Sequence, residues 1–387
     1  MRKTGLLIIL IILLVSFMGC NLKNKQSEKE EISPEKLVDF VVEVAEGKDI
    51  TVLQLTDTQI IDSSQSRTSN RLSGSLPDYW ARDKMEDRCF KYLRDLIERS
   101  SPDLIILTGD VVYGEFDDDG SALTAFIEFM DGFGIPWAPV FGNHEAESRM
   151  GVNWQCDQYA IAKHCLFRQR VLTGNGNYTV GIVQGGELKR VFFMMDSNGY
   201  SNLTSDESFS NGHTSMGLGF ESDQVDWMES EVGKIKEKSP KTHFSICFHI
   251  PIKAFINAWS GYGYVNTAEQ ELINFDEVGK PGEFGIVNSN VSAWDTSMRT
   301  WKAIKQSGFD SVFVGHEHQI SASVIYEGVR LQFGQKSSTY DSLNYVASSG
   351  EIVRSYSDVG TPLVGGTVIP LGEGGELKTP YIMLCEE

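Results

Sequence analysis

Cysteine is scarce in this chain and forms no paired motif. Six occur in 387 residues, with no CxxC pair and no zinc-finger spacing, which argues against a thiolate metal knuckle or a disulfide-built scaffold. Only Cys156 and Cys165 lie close together, and buried thiols are the simpler expectation. Positive charge is also short: 34 lysines and arginines stand against 53 acidic residues, a formal net charge of -19. A surface of that sign does not suit a polyanion, so no binding of duplex nucleic acid is expected. No internal repeat is visible, which removes solenoids and propellers. The apolar run from Leu6 to Met18 falls short of the ~20 residues a membrane-spanning helix needs. What remains is ordinary globular material, 41% hydrophobic and 22% charged, which predicts a packed core.

That apolar run still has a context. Arg2 and Lys3 precede it, Gly19-Cys20 follow it, and a polar stretch runs from Asn21 to Glu31. The arrangement resembles a bacterial lipoprotein signal, with Phe17 standing where such signals usually carry leucine. The resemblance implies a signal peptide over 1–19 and export to the extracytoplasmic face of a bacterial membrane. Cys20 would be the lipidation point and membrane anchor, and residues 20–37 a charged tether.

From Val38 the pattern becomes that of a folded domain, expected to run over 38–387. Strands are predicted at 38–42, 50–55, 104–107, 137–141, 178–184, 190–196, 243–248 and 310–314. Helices are predicted near 83–99, 121–130, 221–238 and 297–307, where apolar residues recur at helical spacing. Helices alternating with short apolar strands predict an α/β domain with sheets covered by helices. The glycine-rich tail beyond Val324 predicts strands closing the second sheet, with terminal strands over 336–387. Residues 253–290, holding Trp259, Tyr262 and Tyr264 without clear period, read as an insertion near the site mouth, the aromatics as packing.

Five positions share one form, an apolar strand followed at once by ligand-type residues. They are Asp57-Thr58-Gln59, Gly109-Asp110, Gly142-Asn143-His144-Glu145, His249, and Gly315-His316-Glu317-His318. In open α/β sheets, ligands gather at the carboxyl ends of strands, so these loops can converge. Two aspartates, an amide oxygen and several imidazoles suit two divalent cations such as zinc, manganese or iron. Such ions can also reverse the local sign of an acidic protein's field toward a phosphate.

The series DxQ, GD, GNHE, a strand-end His and GHEH resembles the calcineurin-like metallophosphoesterases, over about residues 48–335. The resemblance implies a four-layer α/β/β/α sandwich of two mixed sheets, and a small phosphorylated substrate hydrolysed by hydroxide held on two metals. It implies that Asp110 bridges both ions. Asp57, Gln59 and His318 would hold the first metal, and Asn143, His249 and His316 the second. His144 would serve the leaving group as the catalytic residue, with Glu145 orienting it.

Two departures stand out. Gln59 replaces the usual histidine and is a weaker donor. Tyr113, three residues after Asp110, matches the iron-binding tyrosine of purple acid phosphatases, whose first motif differs; an iron phosphatase is thus one alternative. A surface lipoprotein that binds a phosphorylated ligand without turnover is another. His164, His213 and His243 match no motif and read as structural or exposed, and Gln224 and Trp227 as packing.

Overall fold

A computed structural model describes residues 33–65, 85–199, 219–293, 298–338, 343–347, 352–355 and 360–386. Residues 1–19, Cys20 and His213 lie outside the described residues, as does most of the expected tether. Residues 33–387 form one compact unit. No described helix is long and apolar enough to cross a membrane.

The central layers are two mixed sheets. The first follows from three short apolar segments, β2 (Ile50–Leu55), β3 (Leu104–Leu107) and β4 (Trp137–Pro139), which pair in parallel. Strand β16 (Gly365–Leu371) adds antiparallel to β2, and β17 (Tyr381–Leu384) closes that edge. The second sheet has nine strands, β1 (Phe40–Val44) and β5 (Tyr178–Gln184) at one edge, in the order β1-β5-β6-β7-β10-β12-β11-β9-β8. Its middle, β6 (Glu187–Met194), β7 (His243–Cys247), β10 (Ser311–Val314) and β12 (Val329–Phe333), is parallel.

Strand period decides which side chains meet between the sheets. Phe192, Met194, Cys247 and Phe313 join Ile50 and Val52 in one core. The alternate residues Val191, Phe193, Ile246, Val312 and Val314 face a second core. Helices Ser222–Lys238, Lys253–Ser260 and Arg299–Ser307 contribute to that outer core. Helices Met85–Ser100 and Ser121–Asp131 pack into the core of the five-stranded sheet. The result is the expected α/β/β/α layering, with parallel strands apolar on both faces because both faces are covered. A polar tie crosses the seam: buried Gln54 donates through Nε2 to Thr108 Oγ1 and to the Val314 carbonyl, each at 3.0 Å.

Three expectations change. Residues 253–290 are not simply an insertion: they supply the helix Lys253–Ser260 and strands β8 (Ile273–Asn274) and β9 (Phe284–Val287), which extend the nine-stranded sheet. Trp259 is buried there against Phe255 and Phe333, and Tyr264 against Trp259, as packing. The tail serves more than one sheet. Strand β11 (Ile320–Tyr326) and β12 lengthen the second, β16 enters the first, and β13 (Leu343–Ala347), β14 (Ile352–Ser355) and β15 (Gly360–Pro362) form a small third. Finally, the helix Gly151–Ile161 went unpredicted because it buries Gln155 beside Val152, Cys156 and Tyr159, which blurs the apolar period.

Candidate metal centre

The five loops meet where the parallel strands of both sheets end. Backbone bonds lock them: Asp57 N donates to Gly109 O (3.1 Å), Gln59 N to Asp110 O (2.9 Å) and Gly315 N to His249 O (3.1 Å). Close approach explains two glycines. A Cβ on Gly142 would stand 2.2 Å from Asp110 Oδ1, and one on Gly315 would stand 2.0 Å from Thr56 Oγ1. Four site residues other than glycine sit at positive φ: Asp57 (51°), Gln59 (44°), Asp110 (51°) and His316 (88°). Each such residue costs of order 1–3 kcal/mol, strain that folded structure retains chiefly at functional sites.

Two triads of donor atoms result, Asp57–Asp110–His318 and Asp110–His249–His316, each with its donor atoms within 4.8 Å of one another. Asp110 belongs to both. Its Oδ1 accepts from the backbone N–H of Asn143 and of His144, both at 2.9 Å, and its Oδ2 lies 3.2 Å from His249 Nε2. The Oδ2 of Asp57 accepts from Thr56 Oγ1 (2.7 Å) and His316 N (3.0 Å), leaving Oδ1 beside His318 Nε2 at 3.3 Å.

His249 shows best what the donors ask for. Its buried Nδ1 sits 2.7 Å from the Thr108 carbonyl, which fixes an N–H there and turns Nε2 toward the cluster as an acceptor. Around that Nε2 stand Asn143 Oδ1, Asp110 Oδ2 and His316 Nδ1, each 3.2 Å away. Acceptors converging at that spacing need positive charge between them. Ligands bonded to one ion at about 2.1 Å are themselves roughly 3.0–3.4 Å apart. The residues present therefore fit a divalent metal.

Without a metal, a proton answers the same concentration of negative charge. Burial alone would lower the His249 imidazole, but Asp110 and then Asp57 push it up to about 10. Burial opposes charge on Asp57, yet the His318 bond and the His249 charge hold its carboxyl far below the usual range. Asp110 is likewise held well below it, by His249 and His144 against burial.

The residues around the ligands are rearranged relative to expectation. Glu145 does not orient His144: its Oε1 accepts from Val111 N (2.6 Å) and its Oε2 from Gly142 N (2.8 Å), so it braces the loop. Burial and then Asp110 push its carboxyl up to about 8. The carboxylate against His144 is Glu147, whose Oε2 lies 2.8 Å from Nδ1. The His144 Nε2 is 3.7 Å from Asp110 Oδ2, at the edge of the donor cluster. Tyr113 stacks on the His144 ring, centroids 4.2 Å apart. Gln59 is fully buried, and its Oε1 accepts from Lys336 Nζ at 2.7 Å.

Glu147 and Lys336 were missed by sequence reading. Both carried a signal: Glu147 follows His144 by three positions, and Lys336 follows a strand end and a glycine, the same form as the ligand loops. His243, by contrast, pairs with Asp310 (3.1 Å) at a half-exposed position, and His164 bonds through its backbone to Asp131 and Trp137, as structural residues do. Gln224 is buried in a polar network with Asn177 and Asn198, and Trp227 packs on Phe193. The described cysteines are free.

The sequence profile of the calcineurin-like phosphoesterases matches residues 50–320, well over half of the chain. The chain belongs to that family. It is 24% identical to an uncharacterized protein of Schizosaccharomyces pombe over 277 residues, 70% of this chain and 46% of that protein. It is 44% identical over 62 residues to probable inactive purple acid phosphatase 28 of Arabidopsis thaliana, 16% of this chain and 15% of that one. The chain thus spans less than half the length of these curated relatives. Among solved structures, a dimetal phosphatase from Danio rerio aligns over 87% of this chain and 99% of its own, at 12% identity and a TM-score of 0.43.

Proposed function

We propose that this calcineurin-like protein hydrolyses a phosphate ester at a two-metal centre. The observation that carries the reading is Asp110, one carboxylate shared by two triads of donors. Asp57, Asp110, His318 and Gln59 would hold one ion, and Asp110, Asn143, His249 and His316 the other. Bound divalent ions supply Lewis acidity toward phosphoryl oxygens and lower the pKa of water.

The chain's own residues do the rest. Thr108 keeps the His249 tautomer that offers Nε2 to the cluster. Glu145 holds the loop from Gly142 to His144 against Val111, so the imidazole of His144 is presented from a fixed backbone. Glu147 and the Tyr113 ring then set the plane of that imidazole, leaving Nε2 facing the cluster edge. An imidazole so placed can hold a proton for the departing oxygen, a contribution of typically 10²–10⁴-fold.

The test is a panel of phosphomonoesters and phosphodiesters, beginning with p-nitrophenyl phosphate and its bis ester. The protein is stripped with chelator and manganese, zinc or iron is restored singly. Activity that is lost with chelator and regained with one ion supports the proposal. Undiminished activity in stripped protein refutes it, and absence of turnover with every ion and ester favours a ligand-binding protein.

A further inference from the structure

Lys336 is a buried lysine on the loop that follows β12, a strand parallel to β10 and ending beside the ligand loops. Its ammonium donates to two neutral oxygens of the first loop, Gln59 Oε1 at 2.7 Å and the Asp57 carbonyl at 3.0 Å. The neighbouring Ser338 hydroxyl donates to that same carbonyl at 3.2 Å, and the backbone N–H of Ser337 to the Thr56 carbonyl at 3.0 Å. The whole 336–338 turn is therefore built against the segment that carries Asp57 and Gln59.

We propose that Lys336 is a positioning residue for the first metal position, acting through Gln59. This rests on the two-metal reading above. An ammonium only donates, so the contact dictates which end of the Gln59 amide faces it: the oxygen. A carbonyl oxygen has two lone pairs, and Lys336 occupies one, leaving the other for a cation. The amide group alone has no such preference. Without the ammonium it can turn and offer its NH2, a donor that repels a metal ion. The same ammonium holds the Asp57 carbonyl by a second bond, and with Asp57 and Gln59 both at positive φ it also restrains the strained backbone between them.

Two opposing effects decide the sign. Removing Lys336 relieves repulsion between an ammonium and a nearby cation, which would tighten metal binding. It also releases the Gln59 amide and the Asp57 carbonyl, which would weaken it. The proposal requires the second effect to win, as outer partners of ligands commonly matter by ~10–100-fold in metal affinity.

The experiment measures binding of Mn2+ and Zn2+ to the full chain without substrate, by competition with a chromophoric chelator. It compares wild type, Lys336→Met, Gln59→Leu and the double variant, with Lys336→Gln as the variant that keeps a donor. Far-UV circular dichroism of metal-free protein confirms folding. The expected result is weaker binding at one of two sites, by about 10-fold or more, in each single variant. The double variant should lose less than the sum of the two single losses, because Lys336 acts largely through Gln59. Lys336→Gln should lose less than Lys336→Met, and should carry the test alone if Lys336→Met does not fold. Tighter binding, additive losses, or unchanged binding with lost turnover would overturn the proposal while leaving the two-metal reading intact. A wild type that binds no divalent ion overturns both.

Discussion

The Nδ1 of His144 lies 2.8 Å from Glu147 Oε2, while the adjacent Glu145 turns its carboxylate to backbone N–H groups instead. Three residues along the chain, within one short turn, the carboxylate comes back under the imidazole. If His144 serves the leaving group, His144→Ala should lower turnover by ~10²–10⁴-fold. Glu147→Gln should lower it less, by up to about 10²-fold, the cost of a misplaced group. Metal content, read by elemental analysis, should stay at the wild-type value in both. Metal loss in His144→Ala equal to that in a ligand variant would make His144 a ligand.

Asp110→Ala removes the donor that both triads share, and with it the acceptor for Asn143 N and His144 N. Both ions should be lost together. Retention of one ion at wild-type affinity would show that the triads are independent and Asp110 is no bridge.

Tyr113 stacks on His144, and its role in our reading is to hold that ring. The aerobic protein should then be colourless, and Tyr113→Phe should keep its metals. A visible charge-transfer band that disappears in Tyr113→Phe would establish an iron–tyrosinate centre instead.

Outside the two donor triads, burial pushes the Asp117 carboxyl up to about 6, against bonds from Ala122 N and Leu123 N that favour its charge. A carboxyl with a raised folded pKa is protonated longer in the folded chain than in the unfolded one. Its contribution is therefore complete below about pH 4 and lost as pH rises through about 6, by roughly 3 kcal/mol for a shift of two units. Urea midpoints across that range should show Asp117→Asn gaining on the wild type as pH rises. Parallel curves for the two proteins would rule this out.

Lipid attachment at Cys20 is proposed from the sequence alone. Two acyl chains on a cleaved N-terminus anchor stably where one is marginal. Mass spectrometry of membrane-bound protein should find a lipidated Cys20 as the first residue. An intact Met1, or an unmodified Cys20, decides against it.

Much of the architecture was legible because strand ends announce themselves. β3 reads Leu-Ile-Ile-Leu and stops at Thr108-Gly109-Asp110, and the change from apolar to ligand-type residues marks both the strand and the site. Period served equally well for the helix Ser222–Lys238, found within one residue of its bounds. What stayed hidden depends on contacts between distant segments. Glu145 and Glu147 look alike in sequence, and only the turn between them decides which one meets His144. Lys336 was passed over because the motif region was expected to end at 335, and a lone lysine gives no hint that it will be buried. The helix Lys253–Ser260 is short, and its Trp259 is placed by Phe333 from β12, a neighbour sequence pattern does not reveal.

The donors are divided between the two sheets: Asp57, Asp110 and Asn143 follow strands of the five-stranded one, and His249, His316 and His318 follow strands of the nine-stranded one. A cation held by both groups would be a rivet through the seam, which Gln54 also crosses with its hydrogen bond to the Val314 carbonyl. Loading and folding then become one linked equilibrium. An ion present at a hundredfold excess over its dissociation constant adds about 2.7 kcal/mol to the folded state. Metal starvation would accordingly loosen the joint between the sheets, whether or not a substrate is present.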